Sequence, residues 1–100
     1  MWTVVAELKD IAEGKPVVVT IGDQPIGLFN ISGKIFAIDN GCMHRGGPLA
    51  EGHVEGKEVT CPWHAWAFNL ETGACAMNPE LTQKTFPVKI EHGKVSVETA

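Results

Sequence analysis

The fold is decided by two short segments of the sequence, CMHRGGPL at residues 42–49 and CPWHAWAFN at residues 61–69. Each segment pairs one cysteine with one histidine a few positions further on. The four ligand-type residues are Cys42, His44, Cys61 and His64. The short spacing within each pair lets both side chains turn toward a shared ion or cluster. The pattern therefore predicts a metal centre with two thiolate and two imidazole ligands.

Two cysteines and two histidines can bind either a tetrahedral zinc ion or a [2Fe–2S] cluster with cysteine on one iron and histidine on the other. Classical zinc fingers pair cysteine with cysteine and histidine with histidine, and a helix usually carries the histidines. Here each pair is mixed, and Gly46, Gly47, Pro48 and Pro62 disfavour a helix around the ligands. The sequence favours the iron–sulfur cluster and leaves a structural zinc module as the less favoured alternative.

These segments resemble the Rieske iron–sulfur family, and Thr72-Gly73 downstream looks like that family's turn after its second cluster loop. The resemblance is most specific over residues 39–73 and extends over nearly the whole chain. The resemblance implies an all-β fold, in which an antiparallel β-sandwich base carries an inserted, smaller cluster-binding lobe at about residues 39–73. It implies a single Rieske domain over residues 1–100. It also implies one Rieske-type [2Fe–2S] cluster, with cofactor and metal bound by Cys42, His44, Cys61 and His64.

Composition and charge limit the classes of function. One hundred residues allow one domain, and 44% hydrophobic with 20% charged residues is typical of a soluble globular protein. A net charge of −4 argues against binding to nucleic acid or to an anionic membrane surface. No apolar run approaches the roughly 18 residues of a membrane span, and no signal peptide is visible at the N-terminus. These features predict a cytoplasmic protein.

The cysteine content agrees with a reducing compartment. Three cysteines are too few for a disulfide framework. Respiratory Rieske proteins join their two cluster loops by a disulfide, and the matching positions here are Gly47 and Trp63. With Cys42 and Cys61 assigned to iron, only Cys75 remains, and it is interpreted as a small core residue.

Strand and turn signals dominate the rest of the chain. A short helical turn is predicted at residues 8–13, and the stretch 78–84 gives no clear signal. Turns are predicted at 22–25, 32–34 and 91–94, which places His92 in a hairpin turn at the surface. His53 follows Gly52 in a polar turn and is also interpreted as a surface histidine. Strands are predicted at residues 2–6, 16–21, 26–31, 35–38, 54–55, 58–60, 66–70, 85–90 and 95–98.

Residues near the second ligand pair bear on the reduction potential. High-potential members of the Rieske family carry a serine two residues after the second histidine and a tyrosine two further on, and both hydroxyls donate hydrogen bonds to sulfur. The matching residues here are Trp66 and Phe68. Without those hydroxyls, we expect a potential at the low end of the Rieske range of roughly −150 to +300 mV.

No nucleophile–base pair, phosphate-binding loop or paired carboxylates suggest catalysis, so no catalytic residue is assigned and the protein is not expected to be an enzyme. The resemblance to the Rieske family implies an electron carrier between an NAD(P)H-dependent flavoprotein reductase and a terminal oxygenase. The alternative is the small subunit of an assimilatory nitrite reductase, with the large subunit as its partner. The free protein is expected to be a monomer.

Overall fold

The computed structural model describes residues 1–41, 48–62, 66–78 and 80–99, and these residues form an almost entirely β structure. Two short 3-10 helices lie at Leu8–Asp10 and Leu49–Glu51. Among the described residues, no helix has the length and hydrophobicity needed to span a bilayer. Within these ranges the strands are β1 (Trp2–Glu7), β2 (Val17–Ile21), β3 (Gln24–Ile31), β4 (Lys34–Asp39), β5 (His53–Glu55), β6 (Glu58–Thr60), β7 (Ala67–Asn69), β8 (Thr85–Phe86), β9 (Val88–Glu91) and β10 (Lys94–Glu98).

The described strands form three antiparallel sheets, in the orders β1-β10-β9, β2-β3-β4-β8 and β5-β6-β7. Tight turns set the pairing of two hairpins. Ser32 and Gly33 join β3 to β4, and His92 and Gly93 join β9 to β10, all four with positive φ. Positive φ at both central residues gives the turn type whose twist matches antiparallel strands. The predicted all-β class is confirmed.

The four-stranded sheet is the middle layer because β3 and β4 are apolar on both faces. Successive side chains of a strand point to opposite faces. Ile26 and Leu28 accordingly enter one core with Val95 and Val97 of β10, while Phe29 enters the other. This second core is called the lobe core, and its buried members are Phe29, Phe36, Ile38, Leu49, Val59, Cys61, Phe68, Leu70 and Cys75.

The third sheet, β5-β6-β7, lies entirely within residues 39–73, the range predicted for the cluster-binding lobe. Its inward side chains, Val59 of β6 and Phe68 of β7, pair across the sheet and pack into the lobe core. An isolated bridge between Phe68 and Cys75 extends the pairing by one more segment. The lobe is thus attached to the base by a shared apolar core.

The prediction of a single strand at residues 85–90 is wrong. Thr85–Phe86 pairs with β4, whereas Val88–Glu91 pairs with β10 in a different sheet. Pro87 lies at the break, and it has no N–H to continue a ladder. The chain therefore crosses between the two base sheets at this residue, and the Pro87 carbonyl accepts from Glu98 N at 3.0 Å.

The remaining predicted bounds differ from the structure by small amounts. The predicted turn at 22–25 shrinks to Gly22 and Asp23, because Gln24 and Pro25 already pair with β2. The predicted helical turn at 8–13 ends at Asp10. Within the stretch 78–84, Thr82 bridges to Ala74 and Gln83 is buried.

Candidate metal centre

The first predicted ligand loop is closed at its base. Gly41 and Pro48 form an antiparallel bridge on either side of residues 42–47. Leu49 N donates to Asn40 O at 2.8 Å, so the chain leaves the loop beside the point where it began. Residues 42–47, which contain the predicted ligands Cys42 and His44, lie outside the described residues.

The second ligand loop is closed in the same way. Strands β6 and β7 pair up to Thr60 and Ala67, and Cys61 N then donates to Trp66 O at 2.6 Å. Pro62 follows with its φ fixed by the ring. Residues 63–65, including the predicted ligand His64, lie outside the described residues. The ends of the loop are therefore held together by the hairpin that supports it.

Cys61 is the one predicted ligand that the structure describes, and it is 1% exposed. Its side chain packs in the lobe core, where Leu49 from the end of the first loop is also fully buried. This shared core brings the bases of the two ligand loops together. Within the described residues, no three potential ligand side chains converge on one point.

Among the described residues, those that form the lobe core around Cys61 are uncharged. No residue from Cys61 to Leu70 has a formal charge, and Glu51 is the acidic residue closest in sequence to the end of the first loop. Val59, Phe68 and Leu70 in the lobe core are at most 1% exposed. An apolar environment of this kind excludes water and tunes the redox potential of a metal site.

Two buried amides, Asn40 and Gln83, also support the loops, and the sequence-based prediction missed both. Asn40 Oδ1 accepts from Ala50 N at 2.8 Å, on the far side of the first loop. The Gln83 side-chain amide donates to the carbonyls of Asp39 and Gly41 at 2.8 and 2.6 Å. The signal available was slight: Asn40 stands two positions before Cys42, and Gln83 lies in a stretch without periodicity.

The turn predicted at Thr72-Gly73 is confirmed. Asn69 Oδ1 accepts from the backbone N–H groups of Glu71 and Thr72, and Gly73 N donates to Asn69 O. Gly73 has a φ of +83°, which favours glycine. A Cβ at Gly73 would also overlap the carbonyl oxygen of Gln83, so the turn and the Gln83 segment are in close contact.

Other residues singled out in the sequence lie where their interpretation placed them. Cys75 is 1% exposed in the lobe core. His53 is exposed beside Glu55, with Nε2 and Oε2 3.7 Å apart, and His92 is exposed in the β9–β10 turn. Phe68, at one of the two positions expected to lack a hydroxyl donor, is fully buried.

Comparison with known proteins decides the family. The Rieske [2Fe-2S] domain profile matches residues 1–91. The chain belongs to the Rieske [2Fe–2S] domain family. It is 37% identical over 99 residues to the ferredoxin component of the naphthalene 1,2-dioxygenase system of Pseudomonas putida, covering 97% of this chain and 94% of that protein.

Solved Rieske structures share the fold over nearly the full length. The Sphingomonas yanoikuyae B1 ferredoxin superposes with a TM-score of 0.91 at 29% identity, covering 100% of both chains. A chain in the complex of reduced oxygenase and oxidized ferredoxin of carbazole 1,9a-dioxygenase gives 0.87 at 30% identity, covering 96% of this chain and 91% of that one. The predicted Rieske fold is confirmed.

The cluster predicted from the sequence is also confirmed by the family: the Rieske domain binds [2Fe–2S]. The donor set fits, because two cysteines and two histidines are the ligands of a Rieske centre. The position of Cys61, buried at the closed base of its loop, agrees with a thiolate ligand held away from water. The protein is a Rieske-type electron carrier. The assignment of the four individual ligands stays a prediction.

Proposed function

We propose that this protein carries single electrons from an NAD(P)H-dependent flavoprotein reductase to a terminal oxygenase. The observation that carries the proposal is the near full-length match to a ferredoxin component of a dioxygenase system. The match covers 97% of this chain and 94% of that protein, whose name describes it as the ferredoxin component of its system. The protein then acts as a component of an oxidoreductase system and not as an enzyme itself.

Cys42, His44, Cys61 and His64 would hold the cluster, and when bound the cluster supplies reversible one-electron chemistry at a potential raised by the neutral imidazoles. The chain's own residues fix the ligands. The bridge between Gly41 and Pro48 and the hydrogen bond from Cys61 to Trp66 hold both loop bases closed. Ligands on closed loops have less conformational freedom to lose on binding, which favours binding.

The acceptor is proposed to be an oxygenase, in preference to the large subunit of a nitrite reductase. The named relatives belong to dioxygenase systems, and one similar solved structure is a complex of an oxygenase with its ferredoxin. We further propose that the free protein is a monomer and works in the cytoplasm. Its low cysteine content and the residues Gly47 and Trp63 at the disulfide positions support the reducing compartment.

Reconstitution tests the proposal. The purified protein would be mixed with NADH and with the reductase and terminal oxygenase of the naphthalene dioxygenase system as probes. The expected result is bleaching of the visible absorbance by the reductase, and recovery of colour when oxygenase, substrate and oxygen are added. The Cys61→Ser variant serves as the control that should neither bleach nor support product formation.

A protein that binds its cluster but is neither reduced by the reductase nor reoxidised by the oxygenase would contradict the proposed carrier role. Reoxidation by the large subunit of an assimilatory nitrite reductase, and not by the oxygenase, would favour the alternative acceptor. Analytical ultracentrifugation of the holoprotein tests the monomer, which a concentration-independent dimer would rule out.

A further inference from the structure

We propose that Gln83 is a positioning residue that fixes the start of the first ligand loop and links it to the segment behind the second loop. The inference rests on the proposed cluster site, in which Cys42 directly follows Gly41. Gln83 is 3% exposed although its side chain is polar. Its Nε2 donates to Asp39 O at 2.8 Å and to Gly41 O at 2.6 Å.

The two carbonyls need these donors because the β ladder ends beside them. Strand β4 pairs with β8 at Ile38, and Asp39 N donates to Lys84 O at 2.8 Å as the last bond on the β8 side, whereas on the β3 side Asn40 N still donates to Pro25 O at 3.0 Å. The chain then turns, with Gly41 N donating to Asp39 Oδ1 at 3.0 Å. One primary amide supplies two N–H groups, so Gln83 satisfies both carbonyls where the strand leaves the sheet.

Gln83 is itself held from the other side. Its backbone N–H donates to Gly73 O at 2.7 Å, and Gly73 has no Cβ to prevent the approach. Gly73 is tied to β7 through its N–H and Asn69 O, also at 2.7 Å. β7 leads back to Trp66 and the base of the second ligand loop. The hydrogen bonds of Gln83 therefore connect the start of the first ligand loop to the turn that follows β7, the strand that leaves the second loop.

Loss of the amide should loosen the first ligand loop more than the rest of the fold. Gln83→Met keeps the length and apolar bulk of the side chain but removes both donors. Losing two hydrogen bonds to partly buried carbonyl groups should make local opening of the loop about 10- to 30-fold more frequent. We expect cluster loss to a chelator, followed by the decay of visible absorbance, to be faster by about the same factor.

Asn30→Leu is the matched control. Asn30 is also a side-chain amide with two hydrogen bonds, from Nδ2 to Ile11 O at 2.8 Å and from Gly33 N to Oδ1 at 2.9 Å. Both hydrogen bonds lie within the base, and neither involves a residue at the base of a ligand loop. Its loss should lower the urea midpoint, while the rate of cluster loss in native buffer and the electron paramagnetic resonance spectrum of the reduced protein remain those of the wild type.

The spectrum separates positioning from simple stability. If Gln83 positions the loop, Gln83→Met should change the g-values or broaden the signal, because the ligand geometry changes. A Gln83→Met protein whose spectrum and cluster-loss rate match those of Asn30→Leu would overturn the inference. Wild-type protein without a [2Fe–2S] signal would overturn the proposed cluster site, and this inference with it.

Gln83→Asn provides a second route if Gln83→Met yields no folded holoprotein. The shorter amide keeps its donors but cannot reach both carbonyls at once. We expect faster cluster loss than in the wild type, by about fivefold for one lost bond. A rate within twofold of the wild-type rate would show that the double contact does not hold the loop.

Discussion

Replacing Gly73 with alanine is expected to destabilise the protein in two separable ways. Gly73 has a φ of +83°, a conformation that costs an L-residue about 1–2 kcal/mol. The new Cβ would also overlap Gln83 O and lie 3.1 Å from Thr82 Cγ2. Gly73 is buried, and the Gln83 atom that the new Cβ would meet belongs to the backbone. Rotating a side chain therefore cannot relieve the overlap, and the Gln83 segment must move.

The second effect can be given a magnitude from the bond that the movement breaks. Displacing Gln83 breaks its N–H bond to Gly73 O, and a buried backbone group left without a partner costs about 1–3 kcal/mol. The free energy of unfolding of Gly73→Ala should therefore fall by about 2–5 kcal/mol in total. Small domains have about 5–15 kcal/mol altogether, so this loss is large.

Gly14→Ala is the matched control. Gly14 has a similar φ of +80°, but no atom lies within 4 Å of a Cβ built there. It should show the conformational cost alone. Urea unfolding of both holoproteins, followed by circular dichroism under anaerobic conditions, gives the difference, expected to be about 1–3 kcal/mol. Equal losses for the two variants would refute the close approach between Gly73 and the Gln83 segment.

Further predictions concern the cluster and its surroundings. Cys61→Ser should abolish the [2Fe–2S] cluster, whereas Cys75→Ala should keep two irons and two sulfides per chain. Cys75→Ala should lower the free energy of unfolding by about 1 kcal/mol, the cost of losing one buried methylene-sized group. Equal cluster loss in both variants would contradict the distinction between a ligand cysteine and a core cysteine. Protein-film voltammetry should give a midpoint near the low end of the Rieske range, about −150 mV, and a clearly positive value would contradict the argument from missing hydroxyls at Trp66 and Phe68. Phe68→Tyr should raise the midpoint, and an unchanged value would show that the new hydroxyl does not donate to sulfur.

The strand pattern was readable from the sequence where local signals and tertiary structure agree. Val17–Ile21 is rich in β-branched residues, and Ser-Gly at 32–33 is a dipeptide typical of turns. The type of cluster was readable as well, because a metal centre needs specific residue types at short spacing. These features are local, and a single sequence displays them directly.

The features that the sequence did not reveal depend on contacts between distant segments. Residues 85–90 have strand composition throughout, and only the different partners β4 and β10 show that Pro87 divides them between two sheets. Gln83 carries no periodic or motif signal. Its role follows from carbonyl groups at residues 39 and 41, more than 40 positions earlier in the chain.

We expect one [2Fe–2S] cluster to be bound by two cysteines and two histidines of this chain. Pulsed electron paramagnetic resonance of the dithionite-reduced protein tests it most directly, because it detects nitrogen nuclei bound to iron. The expected result is a [2Fe–2S] signal coupled to two imidazole nitrogens, and histidine-specific ¹⁵N labelling should change that coupling. Stoichiometric zinc without a signal, or a cluster signal without nitrogen coupling, would contradict it.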